Sequence, residues 1–309
     1  MLSKVPDGKA IGQAADRLLR KANAYDRWPT PVDDLVAAAD LVEPEQSMLS
    51  NFVLEQAPTH LRGAIRKLKG RVRAVLDRKE REIHVDPTIQ HEGRLAFLKL
   101  HEVSHDIFEW QKALGFADND ATLSPSIRKL FDWQANQGAA ELLFQRERFK
   151  ELAREYTTSM AAVLELASTV GSSAHAAFRR FVEVQDAAVA GVVMDVSPCQ
   201  RNPVAYRRYE VLCSESWEQR FGGIGSWPIV LRDQPYAFVT AAEQARRAGG
   251  TTRGDFVLPD LRNEPVRLNA EVYCNQYRLL VLVWAPRREH LRRRRIIVPA
   301  RASAGPLSH

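Results

Sequence analysis

Two histidines four residues apart, with a glutamate between them, are the side chains of this sequence best suited to chemistry. They form His101-Glu102-Val103-Ser104-His105, inside LKLHEVSHDIFEW. On a helix, residues i and i+4 project from one face a single turn apart, close enough to grip one metal ion. Glu102 lies about 100° further round the helix. From there its carboxylate can reach a metal-bound water without ligating the metal. Zinc lowers the pKa of such a water toward neutrality, and a neighbouring carboxylate takes the proton. The hydroxide then attacks a carbonyl polarised by the same ion, and peptide hydrolysis is the reaction this pattern most often serves. The competing reading is a surface helix with two incidental histidines. Phe97, Leu98 and Phe108 share the histidine face, however, so both rings are expected to point inward, where an unpartnered imidazole is costly. The expectation is a metal centre, with zinc as the ion and manganese as the alternative.

An open hydrolytic zinc site takes three protein ligands and leaves the fourth position to water. The next helical segment, FDWQANQGAAELL from Phe131 to Leu143, places Asp132, Asn136, Ala139 and Leu143 on one stripe. Ala135, Gly138, Ala139 and Ala140 are small and permit close approach of another helix. Packed antiparallel to the histidine helix, this segment would bring Asp132 to the ion. Asn136, one turn on, would then reach the other ring nitrogen of a ligand histidine. Spacing alone leaves open whether Asp132 is a ligand or a solvated acid favoured by the helix dipole.

The elements that must position these residues are legible as patterns. Helical spacing runs from Ala10 to about Ala39, with WPTPVDDLVAAADL as a turn entering a second short helix. VRAVLDRKEREIHVD predicts a β-hairpin turning around Arg78-Lys79-Glu80 and ended by Asp86-Pro87. The histidine helix is expected from about Gln90 to Gln111, followed by a loop, ALGFADNDATLSPS. Ser124-Pro125 is a good helix start, and that helix is expected to reach about Phe149. Helical sequence continues to about Met194, broken near Gly171-Ser172-Ser173. Beyond residue 197 the texture becomes β-rich, with the runs WPIVL, YAFVT, DFVLP, AEVYC and YRLLVLVW and one helix around Ala241 to Ala248. The fold class is thus α+β: a mainly helical part with a small hairpin over 1–196, a β-rich part over 197–300, and a tail over 301–309.

Read together, these residues resemble the ImmA/IrrE family of metallopeptidases. The family shows a His-Glu-x-x-His helix and then a Glu-x-x-Ala-Asn-x-x-Ala-Ala-x-Leu-Leu helix. Here Asp132-Trp-Gln-Ala-Asn136-Gln-Gly-Ala-Ala-Glu-Leu-Leu143 stands in that place. The EIHVDP hairpin, Arg94-Leu-Ala-Phe97 and Pro31-Val32-Asp33-Asp34-Leu35 also fit, so the resemblance covers roughly residues 10 to 185. SSAHAAFRRF resembles the helix-turn-helix-like part that follows the peptidase core. The resemblance implies His101, His105 and Asp132 as metal ligands and Glu102 as the catalytic base. It implies a protein substrate, a helix-turn-helix transcriptional repressor whose cleavage derepresses genes. Asp132 departs from the family's usual Glu. Being one methylene shorter, it requires the second helix to sit closer, and Gly138 provides room for that.

Composition narrows the field further. The chain has 309 residues, 45% hydrophobic and 27% charged, as a globular protein with a sizeable core would. The N-terminal residues lack the apolar stretch of a signal peptide, so the cytoplasm is expected and no membrane partner. Cys199, Cys213 and Cys274 form no CxxC pair and read as free thiols. The net charge of +6 equals that of the segment from Arg287 to Arg301, which holds seven arginines and one acid. Such a tail could meet nucleic acid, but a solvated basic tail is favoured, and Arg179 and Arg180 are a thin supply for phosphate contacts. The alternative function is a metal-binding or DNA-binding regulator without proteolytic activity. His84, His91 and His175 read as structural or surface residues.

Overall fold

Helix α1 (Gly8–Lys21) forms because Ile11, Ala14, Ala15, Leu18 and Leu19 recur at helical spacing, and all five are buried. A turn leads into α2 (Val32–Ala38), which buries Leu35 and Val36 beside it. The structure is a computed structural model that describes residues 7–50, 73–112, 124–195, 206–223, 230–231, 250–275 and 278–286. Strands β1 (Ala74–Asp77) and β2 (Glu82–Val85) make the expected antiparallel hairpin, with Leu76 opposite Ile83. Val42 bridges to Glu82 on the far side of β2, so among the described residues β1 is the hairpin's outer strand.

The histidine helix is α3 (Glu92–Ile107). It ends earlier than the expected Gln111, because Phe108 adopts an extended backbone (φ −88°, ψ 96°) before a further helical turn at 109–112. Phe108 is fully buried beside Ile11 and Ala14 and stacks on Trp110, and burying that ring bends the chain back over α3. Helix α4 (Pro125–Leu143) starts as expected, with the Ser124 hydroxyl accepting the Ile127 N–H. It stops at Leu143 rather than Phe149. Gln145 and Arg146 have positive φ, and the buried Gln145 amide bonds the Asp26 N–H, the Arg27 carbonyl and Thr30 in the α1–α2 turn. That anchor ends α4 and starts α5 (Glu147–Arg154) in a new direction.

Helices α6 (Met160–Val170) and α7 (Ala174–Val184) flank the expected break. Gly171 takes the left-handed C-cap, and the Ser173 hydroxyl accepts the Ala176 N–H to start α7. The helical sequence expected to reach Met194 does not. Val189–Asp195 is strand β3, buried along almost its entire length. A short, continuous apolar run suits a strand covered on both faces and has no period to separate it from a helix. The second sheet therefore begins before residue 197. It is antiparallel, in the order β5-β4-β3-β8-β7-β6, with β4 (Tyr206–Cys213), β5 (Val230–Leu231), β6 (Thr251–Pro259), β7 (Pro265–Cys274) and β8 (Arg278–Trp284). DFVLP, AEVYC and most of YRLLVLVW lie in β6, β7 and β8, as expected.

One face of this sheet supplies Val189, Val193, Leu212, Leu280 and Leu282 to the core built by the helices. The other face gathers Ala190, Val192, Leu279 and Val281 around Trp217 of helix α8 (Glu215–Phe221). A Cβ on Gly191 would stand 2.7 Å from the Phe178 ring, so a side chain there would push β3 off α7. The molecule is α+β, with a hairpin beside the helices and an antiparallel sheet in the C-terminal region. Among the described residues no helix is long and apolar enough to cross a membrane. The loop after Lys112, the YAFVT run, the helix around Ala241 to Ala248, Cys199 and the arginine tail lie outside the described residues.

Candidate functional site

Helices α3 and α4 run antiparallel, and their crossing is close because Gly138 has no side chain. A Cβ there would meet the Phe108 ring and the Ser104 hydroxyl, each at 2.6 Å. This approach brings His101, His105 and Asp132 together, each offering one donor atom, all within 4.8 Å of one another. His101 Nε2 lies 3.2 Å from His105 Nε2, which lies 3.8 Å from Asp132 Oδ1. The histidines are half-buried, whereas the Asp132 side chain is 66% exposed and stands at the rim.

Each imidazole is held through its other nitrogen. His101 Nδ1 lies 3.0 Å from Asn136 Oδ1, one turn beyond Asp132 on α4. His105 Nδ1 lies 2.7 Å from Gln111 Oε1. With both Nδ1 atoms donating, both Nε2 atoms would direct lone pairs into the space they share with Asp132. Burial, reinforced by the nearby His105, lowers the His101 pKa to about 4, so that ring is neutral at physiological pH.

Glu102 is buried and lies near Leu76 of the hairpin. Burial pushes its pKa up to about 7. The nearby Leu76 main-chain N–H on β1 pulls the other way, and the nearby Asp132 charge adds to the rise. A carboxyl poised near neutrality can both take and return a proton at physiological pH.

No family model matches the chain, and no curated protein matches it in sequence. A solved structure described as a Mycobacterium tuberculosis transcriptional regulator shares the fold, with a TM-score of 0.55 over 90% of this chain and 76% of that chain. The two are 11% identical, so the likeness is one of fold alone.

The structure thus brings together His101, His105, Asp132 and Asn136, whereas Glu102, next along α3 after His101, is buried toward the hairpin. Sequence reasoning missed Gln111 and Gln134. Both are buried amides, and Gln111 reaches His105 only because the chain bends at Phe108. Gln134 lies on the packing face of α4, three residues from the buried Phe131, and a polar residue on that face is the signal that could have found it. The other described histidines lie elsewhere. His84 Nδ1 accepts the Met48 N–H, His91 caps α3, and His175 pairs with Glu210 at 3.2 Å.

Proposed function

We propose that this protein is a zinc-dependent endopeptidase that hydrolyses a specific protein substrate. The substrate class implied by the resemblance to the ImmA/IrrE metallopeptidases is a helix-turn-helix transcriptional repressor. The observation that carries this reading is the convergence of two imidazoles and one carboxylate within 4.8 Å, with a buried glutamate, Glu102, next to His101 on the same helix.

The donor set fits the ion. Two nitrogens each 2.0–2.1 Å from a tetrahedral zinc stand about 3.3–3.4 Å apart, and the two Nε2 atoms stand 3.2 Å apart. With both Nδ1 atoms protonated, the two Nε2 lone pairs would face each other across a gap that a cation fills. His101, His105 and Asp132 would hold the ion. Bound there, zinc would supply Lewis acidity toward a carbonyl oxygen and a water acidified to near neutrality. Glu102 would take the proton from the attacking water and return it to the leaving amine, a role its raised pKa suits. The Leu76 N–H would hold its carboxylate in place. Asn136 would fix the His101 ring so that Nε2, not Nδ1, faces the ion.

A regulator acting through nucleic acid is less well supported. Arg179 and Arg180, the basic residues of the helix-turn-helix-like segment, are spent on internal ion pairs with Glu210 and Glu141, each at 3.0 Å. A site that only binds metal has no use for a buried carboxyl such as Glu102.

The test is incubation of the zinc-loaded protein with the product of a neighbouring repressor gene, with fragments read by mass spectrometry. Glu102→Gln should keep stoichiometric zinc and lose cleavage by about 10²-fold or more. Cleavage that survives this change would remove Glu102 from the mechanism. A wild-type protein that takes up no zinc would remove the metal centre.

A further inference from the structure

We propose that Gln111 is a positioning residue for His105, and that through Gln134 it ties the metal site to Asp7 at the start of α1. The proposal rests on the metal-centre reading above.

Gln111 lies six residues after His105. In an unbroken helix, six residues turn the side chain about 240° away and carry it about 9 Å along the axis. Gln111 could not then touch His105. The extended Phe108 breaks the helix and returns Gln111 to the His105 ring, where Oε1 lies 2.7 Å from Nδ1. The Gln111 amide cannot flip, because its Nε2 donates to Gln134 Oε1 at 2.8 Å and to the Phe131 carbonyl at 3.4 Å. Gln134 Oε1 also accepts the Trp110 indole N–H at 3.0 Å, and its own Nε2 donates to Asp7 Oδ2 at 3.0 Å.

Every link in this chain has a direction. Asp7 has only acceptors, so it fixes which end of Gln134 faces it. Gln134 then fixes Gln111, and Gln111 presents an oxygen to His105. His105 must carry its proton on Nδ1, leaving Nε2 with the lone pair a metal needs. Gln111 is 0% exposed and Gln134 1%. Two amides buried that deeply are costly unless all their groups are paired, and a fully paired buried network holds one geometry.

The test uses the full chain without metal, so the positioning role is read independently of zinc. Nitrogen-15 shifts of His105, assigned by loss of the signal in His105→Gln, should report the Nδ1–H tautomer. In Gln111→Leu the same ring should populate both tautomers, and zinc affinity should fall about 10- to 100-fold. Gln111→Glu keeps the acceptor for His105 but gives up the N–H donors to Gln134 Oε1 and the Phe131 carbonyl, so it should keep the Nδ1–H tautomer at a cost in stability. Asp7→Ala should lower affinity in the same direction, by less. Circular dichroism confirms that each variant is folded. If His105 carries its proton on Nε2 in the wild type, or if Gln111→Leu binds zinc as the wild type does, the positioning role is wrong. If the tautomer follows these expectations but no variant binds zinc, the positioning role stands and the metal-centre reading falls.

Discussion

Glu102 sits where ionisation is costly, and this can be measured without any substrate. Its pKa in the folded, metal-free protein is pushed from the usual 4.5 up to about 7 by burial. Between those values the folded chain holds a proton that the unfolded chain has released, so stability falls as pH rises. His101, lowered to about 4 from 6.5, contributes the opposite slope between those values. A difference between variants is therefore needed to isolate Glu102. Metal-free Glu102→Gln should be more stable than wild type at pH 8 by on the order of 3 kcal/mol, and no more stable at pH 4. Urea unfolding at both pH values checks this, and a pH-independent difference would show that burial does not hold the carboxyl neutral. At this scale the sequence was informative wherever spacing carries geometry. His101 and His105 stand one turn apart on one helix with Glu102 between them in sequence, and Asp132 and Asn136 stand one turn apart on the next. Gln111 was hidden because its approach to His105 depends on a bend that no local pattern announces.

The helices themselves were legible for a different reason: their starts are capped by Ser124 and Ser173, and their faces are periodic. Their ends were harder to read. α3 and α4 stop early because Phe108 and Gln145 gain more from distant partners than from another turn. β3 was hidden in an apolar run that fits either structure. Two substitutions test how the elements are joined. Gly138→Ala would ordinarily help a helix by about 0.5–1 kcal/mol. Here the added methyl meets the Phe108 ring and Ser104 at 2.6 Å, and overpacking of that kind costs about 1–3 kcal/mol. The clash wins, so thermal melts should show a destabilised protein with weakened zinc affinity. A more stable Gly138→Ala would mean that α3 and α4 are not held so close. Arg81, in the hairpin turn, bonds both oxygens of the buried Asp106 on α3 at 2.5 and 3.1 Å and also the Ala39 carbonyl. Arg81→Ala leaves Asp106 with Lys112 at 3.2 Å. It should cost roughly 2–3 kcal/mol in chemical denaturation and release the hairpin that carries the Leu76 N–H to Glu102.

The helices and the second sheet share one hydrophobic core. Phe178 and Phe181 of α7 pack with Val193, Leu280 and Leu282 of the sheet, and Gly191 admits the Phe178 ring. Calorimetry should therefore find one cooperative transition for the whole chain. A truncation after Gln185 strips the cover from α7 and should give an aggregating or dye-binding product; a well-folded fragment would show that the helices do not depend on the sheet. Sequence texture revealed a helical part and a β-rich part but not this union, since facing residues far apart in the chain leave no joint signature. One last feature acts on the molecule in solution. Asp132 is the outermost donor of the site and the only one open to solvent over most of its surface. Of the three proposed ligands it is the first a competing chelator would meet. Preparations exposed to EDTA should thus lose their ion quickly and fall silent, then recover on reloading, so the metal history of a sample must be known before any inactive result is interpreted.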